Sequence, residues 1–208
     1  MHRKLLLDKL SAYQPCDRHE AQMTKTLRQF VAAHADCFER SLLIGHITGS
    51  AWVIDYAHLS ALLTHHRKLD KWLQPGGHAD GDPDILRVAM REAREESGLT
   101  EIRPVSYGIF DIDIHAIPAR GSEPEHLHYD VRFLLEADRN APLAMSEEFR
   151  SLAWVPLDAI AELNPEESIA RMVAKTRRRF PNPDWVKRAP PAALVEWDQN
   201  PVNPSNPR

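Results

Sequence analysis

Residues 76–99 read GGHADGDPDILRVAMREAREESGL, and no other stretch restricts the fold so strongly. A loop rich in glycine and aspartate runs into a helix whose two ends are both marked. Asp82 suits an N-cap, Pro83 the first helical position, and Gly98 the left-handed residue after the last turn. With about 100° between successive residues, Leu86, Ala89, Met90 and Ala93 form one apolar stripe, so this helix must lie on a core. Glu92, Glu95 and Glu96 follow the i, i+3, i+4 spacing and share another face, about 130° round the axis. Like charges at that spacing destabilise a helix by roughly a few tenths of a kcal/mol each. Two arrangements can offset this. Arg87, Arg91 and Arg94 can pair with the carboxylates on a solvated face, or the carboxylates can face a hard cation such as Mg²⁺ or Mn²⁺, which prefers oxygen ligands.

The rest of the chain supplies a core for that helix. Residues 3–40 read as helical, with Leu5, Leu6, Leu10, Leu27, Phe30 and Val31 at three- and four-residue steps and Pro15 dividing two helices. Strands are expected at 51–54 and 59–63, joined by a polar turn, and again at about 103–115, 126–136 and 151–155. A last helix is expected to open at Asn164-Pro165, run through Met172 and end near Arg177-Arg178-Arg179. Those three cations suit the negative end of a helix dipole better than a nucleic-acid contact. The reading is an α/β protein: an N-terminal helical extension (1–40), a main domain (41–180) and an irregular, proline-rich tail (181–208).

Composition excludes several classes of partner. Lys and Arg number 26 against 30 Asp and Glu, a net charge of -4, so no positive field draws in a nucleic acid polymer. No run approaches the roughly 20 apolar residues of a membrane span. The opening MHRKLLLDKL is too briefly apolar for a secretory signal, and Cys16 and Cys37 form no disulfide framework. A cytoplasmic location is expected. The N-terminal helices could cover a sheet edge or swap between subunits of a homodimer.

The 11 histidines are the compositional oddity. In Glu125–Phe133, EHLHYDVRF, strand alternation sends Leu127, Tyr129, Val131 and Phe133 to the core and His126, His128, Asp130 and Arg132 to the other face. Two histidines two apart on a strand can present both imidazoles to one metal, or can sit hydrogen-bonded at a surface. His115 alternates onto one face with Asp111 and Asp113, in a pocket or on an edge strand. His65 and His66, at a strand end, are expected to face solvent.

The full pattern of Gly77 and then Arg91-Glu92-Ala93-Arg94-Glu95-Glu96-Ser97-Gly98-Leu99 resembles the Nudix box, with its glycine, its Arg-Glu-aliphatic-x-Glu-Glu core and its closing Gly-aliphatic pair. One position departs: the first box glutamate falls on Pro83, between Asp82 and Asp84, which bears on loop geometry more than on metal binding. The resemblance implies an α/β/α sandwich around a mixed sheet. It implies Mg²⁺- or Mn²⁺-dependent attack of water on a small-molecule diphosphate, by default a nucleoside diphosphate linked to another moiety. Carried over residue by residue, Glu92, Glu95 and Glu96 become metal ligands, one of them also orienting or deprotonating water. Arg91 becomes the residue that holds them, and Gly77 a close backbone approach. A further base, Glu147 or Glu148, could come from the loop before Trp154, although two exposed loop glutamates are an equal reading.

A second resemblance concerns the histidines. Isopentenyl diphosphate isomerases share the Nudix fold and have a metal site of histidines and glutamates. Gly77-His78 stands where that family has its Gly-His, His46 precedes Ser50-Ala51-Trp52 as a metal histidine precedes a similar strand there, and His126 and His128 fall on a Glu-x-Glu pair. The resemblance implies a second site of His46, His78, His126 and His128, with Glu39 a further candidate, suited to Zn²⁺, Mn²⁺ or Fe²⁺. The isomerase reaction fits poorly, because the position of that family's catalytic cysteine is Gly76 here. A non-catalytic protein that binds metal or nucleotide is the other alternative, against which the intact box argues.

Overall fold

The computed structural model describes residues 2–121, 124–144 and 149–181. Eight strands form one mixed sheet: β1 Gly45–Asp55, β2 Ser60–His66, β3 Lys71–Leu73, β4 Gly76–His78, β5 Ile102–Pro104, β6 Asp111–Ile117, β7 His126–Ala137 and β8 Phe149–Pro156. Five helices accompany them: α1 Lys4–Ala12, α2 Arg18–Ala33, α3 Ile85–Ser97, α4 Ile160–Leu163 and α5 Glu167–Arg179. The two longest strands, β1 and β7, pair in parallel along their length, from Gly45 opposite Leu127 to Asp55 opposite Ala137. Parallel pairing requires a long crossover, and the chain between them provides it. All other pairs are antiparallel. β4 lies on β1 at residues 48–50 and β6 on β7 at residues 126–132, while β2 and β5 take the far ends of β1 and β7.

Alternation along β1 and β7 sorts the two layers that sandwich the sheet. The odd-numbered positions Ile47, Ala51, Val53, Val131, Phe133 and Leu135 are buried in one core with Val88, Ala89 and Ala93 of α3 and with Leu6, Leu10, Leu27 and Phe30 of α1 and α2. On the even-numbered side, Trp52, Ile54 and Leu134 meet Ile169, Met172 and Val173 of α5. The Trp52 indole N–H donates to the Thr176 hydroxyl at 2.9 Å. The even-numbered face is thus apolar toward the ends of β1 and β7 and polar toward their beginnings.

The boundaries move in instructive ways. Helix α3 is capped by Asp84, whose carboxylate accepts from Arg87 N, and not by Asp82. Asp82 instead accepts from Asp84 N at 2.9 Å and pairs with the Arg87 guanidinium. Proline disfavours a helical residue before it, which is consistent with Asp82 in the loop and the cap one residue beyond the ring. The expected end holds: Gly98 has φ 71°, and a Cβ there would lie 2.6 Å from Ala144 Cβ. The last long helix starts at Glu167, later than Asn164-Pro165; Asn164 accepts from Glu166 N and its amide donates to Trp72 O, joining α4 to α5. His65 and His66 are half-buried, not solvent-facing, and the His65 ring stacks on Trp72 at 5.1 Å.

Candidate active site and histidine cluster

The acidic face of α3 lies against β4. A Cβ added to Gly77 would sit 2.5 Å from the Glu92 carboxyl carbon, so glycine is what lets this side chain rest on the strand. Gly76 N–H donates to Glu96 Oε1 at 3.2 Å. Arg91 bridges the two elements, one guanidinium nitrogen donating to the His78 carbonyl at 3.0 Å and to Glu92 Oε1 at 2.5 Å. Its Nε stands 3.9 Å from Glu95. Glu92 and Glu96 are largely buried here, whereas the Glu95 side chain is 63% exposed. Burial pushes the Glu92 carboxyl above its ordinary range despite Arg91, as expected for a carboxylate with too little compensating charge around it. Of the expected partners, Arg87 is turned to Asp82, and Arg94 is exposed and lines a surface hollow with Leu86 and Met90. Carboxylates that share a helix face in this way offer oxygen ligands of the kind a hard divalent cation takes, while the ligand atoms that converge within 4.8 Å of one another among the described residues belong to histidines. Glu147 and Glu148, the candidate bases, lie outside the described residues.

A second cluster occupies the start of the even-numbered face. His46 and His128 are directly opposed across β1 and β7, His78 ends β4, and His126 lies two residues before His128. The His46 ring centroid is 5.0, 4.9 and 4.9 Å from those of His78, His126 and His128. His115, opposite His128 on β6, stands 5.5 Å from it and has its Nδ1 on Asp113 at 3.2 Å. Burial, reinforced by the neighbouring imidazoles and, for His46 and His78, by Arg40, lowers the imidazole pKa of His46, takes His78 down to about 4 and His128 to about 2. These rings are therefore neutral at ordinary pH, the form that offers a lone pair. Glu39 rests on Gly81, its Oε1 2.8 Å from where a Cβ there would be, and the convergent ligand atoms found among the described residues are those of His46, His78 and His128.

One group of residues had no counterpart in the sequence reading. Next to the histidines, Asp130 Oδ1 accepts from Thr48 and Ser50 at 2.9 and 2.8 Å, and Asp130 Oδ2 from Arg132 at 2.7 Å. The alternation of EHLHYDVRF placed Asp130 and Arg132 on this face, but their partners come from a strand about 80 residues away. A cavity of about 530 Å³ also lies outside the predicted site, between α1, α5 and the segment leading into β6, lined by Lys9, Tyr13, Phe110, Lys175, Arg178 and Arg179. None of the α3 glutamates lines it.

With this geometry in view, the chain can be compared with known proteins. The family model of the NUDIX domain matches residues 50–176, and the chain belongs to the Nudix family. The enzyme class follows: a hydrolase acting on pyrophosphate bonds. Among solved structures, the dihydroneopterin triphosphate pyrophosphohydrolase of E. coli is similar at 15% identity and a TM-score of 0.51, over 62% of this chain and 92% of that one. The Ap4A hydrolase of C. elegans is similar at 15% identity and a TM-score of 0.50, over 64% of this chain and 96% of that one. At such identities the likeness is one of fold. No curated protein matches the chain. No described helix is long and apolar enough to cross a membrane.

Proposed function

We propose that this chain is a divalent-metal-dependent pyrophosphohydrolase whose substrate is a nucleoside diphosphate linked to another moiety. The observation that carries the reading is the placement of Glu92 and Glu96 against β4, with Arg91 tied to both Glu92 and the His78 carbonyl and standing 3.9 Å from Glu95. Glu92, Glu95 and Glu96 would hold Mg²⁺ or Mn²⁺, which neutralises phosphate oxygens and lowers the pKa of a bound water.

The protein's own part is positional and basic. Gly76 N–H orients Glu96, and Arg91 fixes Glu92 while its charge limits repulsion within the cluster. Glu95, the most exposed of the three, is the group free to turn toward substrate and accept a proton from attacking water. The two pyrophosphohydrolase-like neighbours support a phosphoanhydride as the bond cleaved, and the chemistry of the carboxylate cluster supports it independently.

The test is product analysis over nucleotide sugars, dinucleoside polyphosphates, nucleoside triphosphates and isopentenyl diphosphate, with Mg²⁺ or Mn²⁺. Cleavage of at least one phosphoanhydride is expected, with Glu95→Gln slower by about 10²–10⁴-fold and unchanged in circular dichroism. Turnover of none of them would leave a binding protein, and double-bond migration without phosphate release would make it an isomerase. Gly76 speaks against the isomerase, because it stands where that family's catalytic cysteine would be, and Cys37 is buried in the core.

A further inference from the structure

The histidine cluster is assembled from three segments far apart in the chain. Its rings pack with centroids 4.9–5.2 Å apart in five of their six pairings. One ring nitrogen each of His46, His78 and His128 lies within 4.8 Å of the others. A tetrahedral cation with bonds of about 2.0–2.1 Å needs its nitrogens roughly 3.4 Å apart, so side-chain shifts of about an ångström would close the set.

The hydrogen bonding makes a purely structural cluster a poor explanation. His46 is 4% exposed, yet neither of its ring nitrogens makes a well-formed hydrogen bond among the described residues; the Leu42 backbone alone approaches the ring as an acceptor, which leaves the other nitrogen its lone pair. Nε2 of His128 is also buried and without one. Leaving such a group unsatisfied costs about 1–3 kcal/mol, and folded chains seldom do so without a ligand or water. His126 offers the complementary sign. Its Nδ1 lies 2.9 Å from the Pro124 carbonyl, which can only accept, so Nδ1 carries the proton and Nε2 keeps its lone pair. A carbonyl behind an imidazole is the usual support for a metal-bound histidine.

We propose that His46, His78, His126 and His128 form a second metal centre, apart from the glutamates, that takes a borderline transition cation of the Zn²⁺ or Fe²⁺ type in preference to Mg²⁺. Imidazole nitrogens select such cations over hard, oxygen-seeking ones. The centre also bears on the glutamates, a consequence that rests on the hydrolase reading. The His78 carbonyl receives Arg91, and Gly77 beside it carries Glu92. A cation on the His78 ring would clamp the short strand on which both of those residues rest, making His78 a positioning residue for the hydrolytic site.

Cobalt titration of the chelator-stripped full chain tests the centre without reference to turnover. One equivalent of Co²⁺ should produce the intense visible d–d absorption of a four-coordinate nitrogen site. Glu92→Gln and Glu95→Gln should retain the band, so that loss of hydrolysis with the band intact separates the two sites. His46→Ala should abolish it. His126→Gln, altering a half-exposed ring at the edge of the cluster, should weaken cobalt binding by more than about tenfold even if His46→Ala fails to fold. Absence of the band in the wild type, or cobalt affinity unchanged in His126→Gln, would overturn the proposal.

Discussion

The even-numbered face of β1 and β7 buries polar side chains in two adjoining regions that are completed in opposite ways. In the region around Asp130 and Asp111, every carboxylate finds a partner inside the chain. Arg132, 4% exposed, reaches Asp130 at 2.7 Å and Asp111 and Asp113 at 3.3 Å. Asp111 also receives two nitrogens of Arg171 at 2.9 Å and Lys175 at 2.7 Å. Lys175 continues to Glu20 of α2, which in turn accepts from Tyr13 and from Cys16 N. Two residues along the same strands, His46 and His128 present buried nitrogens that make no well-formed hydrogen bond among the described residues. The first region is a closed account, in which buried charges serve to lock α2 and α5 onto the sheet. The second is left open among the described residues, which is what the proposed metal centre would complete.

This contrast can be broken by removing one member from each region. The largest effect is expected for Arg132→Met, which takes from buried Asp130 the one cation it pairs with among the described residues and removes one of several cations from Asp111 and Asp113. A loss of about 3–5 kcal/mol in urea unfolding is expected, because breaking a buried ion pair leaves its partner uncompensated. A loss below about 1 kcal/mol would mean the network is not the lock described here.

Glu20→Gln should cost less, about 1–3 kcal/mol, since Lys175 keeps Asp111. It also predicts a pH dependence. Burial raises the Glu20 carboxyl, but hydrogen bonds from Lys175 and Tyr13 outweigh it and hold the pKa at about 2, below the ordinary 4.5. A depressed carboxyl contributes its full stabilisation above pH 4.5 and loses it as pH falls toward 2. The stability difference between wild type and Glu20→Gln, followed by acid titration, should therefore shrink across that window. A difference that stays constant would detach Glu20 from the network.

The smallest effect, and of opposite sign, is expected for His46→Leu in the presence of chelator. Removing unpartnered buried nitrogens should leave stability at or above that of the wild type, by up to about 1 kcal/mol. Restoring Zn²⁺ should reverse the order by stabilising the wild type alone. If the variant is less stable by more than about 2 kcal/mol in chelator, His46 is an ordinary packed core residue.

What could be read from the chain in advance follows the range of the interactions involved. The α3 stripe, the shared face of Glu92, Glu95 and Glu96, and the Gly98 terminus are set by residues within a few positions of one another. So is the alternation that put His126, His128, Asp130 and Arg132 together. The Asp82 cap failed even at this range, because the two acidic residues flanking Pro83, Asp82 and Asp84, compete for one role and the loop geometry chooses between them. The register that sets His46 against His128, and the path from Glu20 through Lys175 to Asp111, join residues 64–155 positions apart. No periodicity reports such pairings; only the resemblance of the histidine positions to another family's metal site hinted at the first.

By itself, then, the sequence determined the local chemistry: an amphipathic helix carrying three carboxylates, and strands with one polar edge each. Backbone periodicity and cap chemistry act over a few residues and need no knowledge of the rest of the chain. The tertiary structure alone decided which of the buried polar groups are satisfied and which are not. The parallel pairing of β1 with β7 fixes that outcome, because burial removes water as the alternative partner and leaves each group only the neighbours that the register supplies.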